Sequence, residues 1–320
     1  MRLAVALVVI LGCGSNQKAT TSEPETPSFT STADRILPLF PDGAQVIVEV
    51  DLARLRANPV VGALITQIVA GDIAAPMPGE VPPLSLAHAD TMVMASYGVG
   101  TSSAATIIVL ATADPVPSGI TLADGLVVLG PSEWTAQVEA RAAIAGVTGA
   151  NTTPTLAAPK ELRTLRDHAM PPKAPGASLR ITARLPFDAR VALGRATGLD
   201  TPPAQLSIWG DVVDDMVIIV DLDASDPGDT AKRSKDKSSA TKRMEASLRG
   251  VLAGLANETA LELVGFGPSI EGAEIVTRGS WVRAIIAVGP KRLARIVDRA
   301  KALLAAPPPA EPVPANSDAS

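Results

Sequence analysis

Two pairs of matching stretches restrict the folds open to this chain. GAQVIVEVDL (43–52) and GASLRITARL (176–185) each place Gly-Ala before an alternation of apolar and other residues. Such a period of two predicts a half-buried strand. LVVLGPSEWTAQVEARAAI (126–144) matches IIAVGPKRLARIVDRAKAL (285–303). Each reads as a buried strand, a Gly-Pro, and an amphipathic helix with proline placed in its first turn. Trp134, Val138 and Ala145 line one face of the first helix, and Leu293, Val297 and Leu304 occupy the matching places in the second. The offset is 133 residues at the first pair and 159 at the second, so the second half carries 26 more residues, among them the polar stretch 224–243. Two unrelated strand–helix units in an alanine- and valine-rich chain would also produce such matches. Duplication into two related halves is the preferred reading.

The remaining pattern fills in both halves. The first reads as a strand over 46–52, a helical region, strands near 91–97 and 105–112, a strand over 126–129 and a helix over 131–145. Asn58-Pro59 looks like a fresh helix start, with Val60, Val61, Leu64, Ile65 and Ile68 on one face. A short helix is expected between Pro159 and His168. The second half reads as strands over 178–185, 205–210 and 216–223, a helix near 241–256, strands over 260–266, 272–278 and 282–288, and a last helix. Strands grouped in hairpins rather than alternating strictly with helices predict an α+β fold, with antiparallel or mixed sheets and helices packed on one face. The expected organisation is residues 35–150 as one half, 151–175 as a linker with a short helix, 176–305 as the other half, and a disordered proline-rich tail over 306–320.

The start of the chain, MRLAVALVVILGCGSNQ, follows a different logic. Arg2 precedes nine apolar residues, Leu3 to Leu11, and then Gly12 and Cys13, the sole cysteine of 320 residues. A charged head, an apolar middle and a small residue before a cut make a secretory signal over 1–12. As a helix the apolar run rises about 14 Å, too little to span a bilayer. Ile10-Leu11-Gly12-Cys13 resembles the lipobox of bacterial lipoproteins. The resemblance implies that the Cys13 thiol receives a diacylglyceryl group, that the chain is cut before it, and that the new amino terminus is acylated. A buried methylene contributes about 0.8 kcal/mol, and two or more acyl chains anchor stably where one holds marginally. In enteric members an aspartate after the cysteine marks retention in the inner membrane; Gly14 stands here, which favours the outer membrane. Beyond residue 13 the likeness is to lipoproteins without an assigned activity, so it implies a location and no chemistry. Residues 13–34 then read as the acylated cysteine and a Thr-, Ser-, Pro- and Glu-rich tether. Its last twenty residues span about 25 Å as a coil and at most roughly 70 Å extended.

Composition removes several function classes. The net charge of −5 at pH 7 argues against electrostatic binding of nucleic acid. With Cys13 acylated, neither a disulfide nor a cysteine-ligated metal is expected. Four Phe, three Trp and one Tyr are too few for a stacking platform, and Trp134, Trp209 and Trp281 read as core fillers. The two histidines, His88 and His168, read as surface loop residues without metal-ligand spacing. G-x-S-x-G and the P-loop pattern are missing, and the close glycines of GVGTSS and GFGPSIEG read as turns. No cofactor is expected.

Charged residues offer three weak candidates. Asp221, Asp223, Asp226 and Asp229, with Ser225, could present oxygens to calcium. However, Asp226 stands where an EF-hand needs glycine and the distal glutamate is missing, so a solvated loop is the plainer account. Asp211, Asp214 and Asp215 are candidates for carboxylate acid–base chemistry. Glu49, Asp51, Arg54 and Arg56 suggest an ion-paired strand edge. Three functions stay open, in order of preference: a non-catalytic interaction or structural module held to the envelope membrane and meeting an envelope protein partner, a carrier of an apolar ligand, and an enzyme working with carboxylates alone.

Overall fold

The computed structural model describes residues 31–70, 86–117, 119–122, 125–145, 160–172, 174, 176–225 and 237–305. The lipobox with Cys13, the tether as far as residue 30, Asp226, Asp229 and the tail from 306 lie outside the described residues. The fold is α+β. Its centre is one ten-stranded antiparallel sheet: β1 (Val46–Asp51), β2 (Ala89–Tyr97), β3 (Ala105–Thr112), β4 (Ile120–Thr121), β5 (Leu126–Leu129), β6 (Leu179–Arg184), β7 (Gln205–Val212), β8 (Met216–Asp223), β9 (Glu274–Arg278) and β10 (Trp281–Val288). The spatial order is β4-β5-β3-β2-β1-β6-β7-β8-β10-β9.

That order is a palindrome when β1 is matched with β6, β2 with β7, β3 with β8, β5 with β10 and β4 with β9. At the centre β1 pairs β6 with Val46 opposite Ala183, Val48 opposite Ile181 and Val50 opposite Leu179. The offset of 133 read from the sequence carries Val48 onto Ile181, its own partner. A pseudo-twofold axis therefore passes through the Val48–Ile181 pair, perpendicular to the sheet. The ladders extend the equivalence outward: Val109 of β3 corresponds to Asp221 of β8, and Val128 of β5 to Arg283 of β10. They also correct one alignment. β5 corresponds to residues 281–284, not 285–288, because β10 runs four residues further before its Gly-Pro.

Strand residues alternate between two faces. On the front, Val50, Ile108, Leu110, Leu179, Ile218, Leu222, Ala284 and Ile286 meet α2 (Leu52–Ala57), α3 (Gly62–Val69), α7 (Lys237–Ala256), α8 (Thr259–Val264), α9 (Gly267–Glu271) and α10 (Pro290–Ala305). Fully burying one such aliphatic side chain contributes about 1.5–3 kcal/mol. This helical layer covers both halves. The back face is divided. In the first half, Ile47, Val93, Tyr97, Ile107, Val109 and Val128 pack under α1 (Thr32–Ile36), a 3-10 turn (Leu37–Leu39) and α4 (Ser132–Ala145). In the second half, α5 (Lys160–Arg166) and the chain after it lie near the back face, whereas α6 (Phe187–Thr197) packs on the front, burying Ala189 against Ala183 and Leu185, with Ala183 opposite Val46.

The helix after each Gly-Pro leaves in a different direction. α4 turns to the back, where Val138 joins Leu126 and Val128. α10 turns to the front, where Leu293, Ile296 and Val297 join the core with Leu64 and Ile65. Gly130 makes the first turn at φ +147, a backbone that side-chain-bearing residues rarely adopt. Gly289 is not among the glycines of positive φ.

Four expectations change. Residues 31–34, expected as the end of the tether, cap and begin α1, and Gly267–Glu271, expected as a turn, is the helix α9. Residues 260–266 form no strand: the helix α8 runs to Val264, with Leu261 and Val264 buried while Leu263 is 57 % exposed, and Gly265 closes it at φ +79. β1 is no sheet edge but the centre, and its charged neighbours reach other elements. Asp51 caps α2 through the N–H of Arg54 at 2.8 Å, and Arg56 donates to the carbonyl of Ala89 at 2.7 Å and to Asp90 at 2.9 Å. Asn58 does cap its turn, accepting from the N–H groups of Val60 and Val61 at 2.9 and 3.0 Å.

Candidate functional site

The back face of the second half gathers most of the buried charge. Asp221 is 1 % exposed at the middle of β8. Alternation puts its side chain beside that of Ile219, and antiparallel register sets it opposite Arg283. Arg283 grips it with both ends of its fork, Nε to Oδ1 at 2.7 Å and Nη2 to Oδ2 at 2.6 Å. The hydrogen bonds to Asp221, working against burial, raise the Arg283 pKa. His168 closes the cluster from the linker: its Nδ1 lies 2.7 Å from Asp221 Oδ2, and its carbonyl accepts from Arg283 Nη2 at 2.9 Å. The imidazole stacks on Trp281 with centroids 3.8 Å apart and planes 24° apart. His168 is therefore not the plain loop residue its sequence suggests, whereas His88, 75 % exposed, is one.

A second clamp joins the halves at the strand ends. Asp211 receives Arg54 Nε at 2.6 Å, Arg54 Nη2, and the Ser178 hydroxyl at 2.7 Å. These bonds to Asp211 raise the Arg54 pKa against its desolvation. The third lies across the pseudo-twofold. Arg166 of α5 donates twice to Glu49 at 2.6 Å and once to Asp34 of α1 at 2.6 Å. Burial opposes the Arg166 charge, but Glu49 and Asp34 outweigh it and its pKa rises. Arg180, which occupies the place of Ile47 in the second half, is held below its usual pKa by burial and by the neighbouring Arg166 charge. Its Nε and the Thr182 hydroxyl have no hydrogen-bond partner among the described residues.

The carboxylate candidates do not converge. Asp211 is saturated by Arg54 and Ser178, while Asp214 is exposed on the β7–β8 turn. Asp215 beside it has a raised pKa, through burial and then the Asp214 charge. Of the calcium candidates, Asp221 is taken by Arg283 and His168, and Asp223 accepts from the Ser225 N–H at 3.0 Å and hydroxyl at 2.5 Å. Among the described residues no group of three or more His, Cys, Asp or Glu is arranged to hold a metal. The tryptophans pack. Trp209 is 2 % exposed and donates to the Gly176 carbonyl at 3.1 Å, and Trp134 stacks on Tyr97 at 4.2 Å. An arginine fork on a carboxylate is a strong, directional contact that fixes elements together. Here the forks bind linker to sheet and half to half. Sequence reading missed this role because Arg283 and Asp221 are 62 residues apart and only register joins them. The available sign was an aspartate sharing a strand face with Val217 and Ile219, a position that asks for a buried cation.

No protein-family model matches the chain, and no curated protein sequence matches it. Solved structures to which the chain is weakly similar include two crystal forms of one protein. The structure of crystal form I of TP0453 is 11 % identical at a TM-score of 0.38, covering 82 % of this chain and 96 % of that one. Crystal form III of TP0453 gives 11 % identity, a TM-score of 0.36 and the same coverage.

Proposed function

We propose that the protein is a lipid-anchored component of the bacterial cell envelope whose folded body acts as a non-catalytic interaction or structural module. The observation that carries this is the Ile10-Leu11-Gly12-Cys13 box behind its nine-residue apolar run, with the sole cysteine at the acylation position. Gly14 supports the outer membrane over the inner. Among the described residues no helix is long and apolar enough to cross a membrane; two or more acyl chains on Cys13 would hold the body stably.

The body supports a module over the alternatives. Asp211, Asp221 and Glu49 are each engaged by an arginine fork, so these carboxylates serve as joints rather than as acids or bases. A carrier of apolar ligands needs an apolar hollow. One hollow among the described residues, an open depression of about 320 Å³ beside α7, has Asp200, Thr201, Arg243 and Ser247 in its lining. The test is fractionation of cells producing the full chain. Cys13→Ala is expected to move the protein from the membrane to the soluble fraction, and an unchanged membrane fraction overturns the anchor.

A further inference from the structure

The two edges of the sheet are finished differently. β4 ends one edge with two residues and is preceded by Pro115 and Pro117, devices that discourage strand addition. β9 ends the other with five residues, EIVTR, pairs β10 without a bulge, and contains no proline. Its residues are exposed apart from the half-buried Ile275, and Val276 is 44 % exposed. Neither a proline nor a bulge blunts this strand, and its two charges, Glu274 and Arg278, are of opposite sign.

The register of its outer side follows from its inner side. Arg278 and Trp281 flank the two-residue turn Gly279–Ser280, with Gly279 at φ +63, and therefore form a hydrogen-bonded pair. Hydrogen-bonding direction alternates along a strand, so Ile275 and Thr277 turn their N–H and C=O groups outward. A second strand fits there antiparallel if it too offers outward groups two residues apart. β9 meets this requirement itself, through a twofold axis at Val276: Ile275 pairs with Thr277 of the second copy, and Thr277 with its Ile275. The same register sets Glu274 opposite Arg278 of the second copy, twice, in the close non-hydrogen-bonded positions where opposite charges attract.

We propose that β9 is a self-association edge, joining two copies of this chain about Val276 into one continuous sheet. The inference deepens the module reading by naming the partner. It rests on that reading in one respect: an edge this short gains from the raised effective concentration of copies held on one membrane.

Cysteine cross-linking of the full chain in its own membranes tests it. At a non-hydrogen-bonded pair the Cα atoms lie about 4.5 Å apart, within disulfide reach. Val276→Cys is expected to give a covalent homodimer under mild oxidation. Thr277→Cys is expected to stay monomeric, since its two copies fall two residues out of register, beyond the roughly 7 Å limit. Adding Glu274→Arg to Val276→Cys places like charges opposite each other and is expected to lower the dimer yield roughly tenfold; adding Arg278→Glu as well restores it. A Val276→Cys chain that remains monomeric, links only to other proteins, or dimerises regardless of charge reversal overturns the inference. Fractionation of the same samples reports on the anchor separately: soluble chain that still links at 276 strikes the anchor and leaves the edge.

Discussion

The cross-strand pair Val109–Val128 in the first half and its equivalent Asp221–Arg283 in the second show one backbone closed in two ways. Val109 and Val128 are both 0 % exposed beneath α4 and the amino-terminal helical turns. Asp221 is 1 % exposed, but Arg283 is 33 % exposed at its side chain, and its cover is the linker residue His168 stacked on Trp281. The difference traces to the helix after Gly-Pro. α4 folds onto the back face and brings apolar cover, whereas α10 goes to the front and leaves the back of its half to a crossing chain. A crossing chain offers backbone carbonyls and a few polar side chains, so what it covers must be polar and paired. The charges are thus fitted to the kind of cover available.

The largest effect comes from moving the second half's chemistry into the first. Val109→Asp places a carboxylate in an apolar layer without a cation or water, and should cost more than about 4 kcal/mol, enough to prevent folding. Circular dichroism and the soluble yield read this out. Adding Val128→Arg should not rescue it, because position 128 gives the guanidinium no route to solvent. Recovery by that pair would mean the cover is not what separates the halves. The reverse exchange should be milder. Asp221→Val leaves Arg283 without its carboxylate and should cost about 3 kcal/mol by urea unfolding. The double variant Asp221→Val, Arg283→Val copies the first half and should regain most of that loss, since apolar replacements of buried ion pairs are often neutral or stabilising. A double variant as unstable as the single would show that His168 and Trp281, not the pair, hold this face.

Much of this architecture is legible in the sequence. Alternation located β1 and β6, and the offset of their match is the one that sets Val48 opposite Ile181, although a repeat does not by itself say that its two strands pair. The failures are physical. In 260–266 apolar residues are dense, and Gly265 could be a turn after a strand as well as a helix C-cap. α6 buries Ala189 and little else, so its sequence shows no strong apolar stripe. The clamps were illegible because each needs register between distant segments. Asp221 and Asp223 therefore read as ends of a solvated loop, although Asp221 alternates in phase with Ile219 on a buried face. Nor does Gly-Pro state which way its helix turns: α4 and α10 follow the same dipeptide onto opposite faces.

The smallest effect concerns the tie between the two back faces. Asp34 begins the first half's cover and receives Arg166 from the linker at 2.6 Å. Burial alone would raise its pKa, but Arg166, together with the Ser31 hydroxyl and N–H, outweighs burial and holds the carboxyl below its usual value. A carboxyl depressed in the fold contributes stability that is present above the unfolded value, about pH 4, and is lost as pH falls through the folded one. Asp34→Asn should therefore lower stability at pH 7 by up to about 1 kcal/mol, since Asp34 is partly exposed and solvent screens the pair. Ser31 can still bond to asparagine, so the loss reports the charge. Urea unfolding of wild type and variant across pH 7 to 3 should show the two curves converging below about pH 4, where the wild-type carboxyl is itself taking up a proton. A difference that persists unchanged to pH 3 would mean that Asp34 acts as the cap of α1 alone, and that the apolar and the ion-paired back faces are stabilised independently.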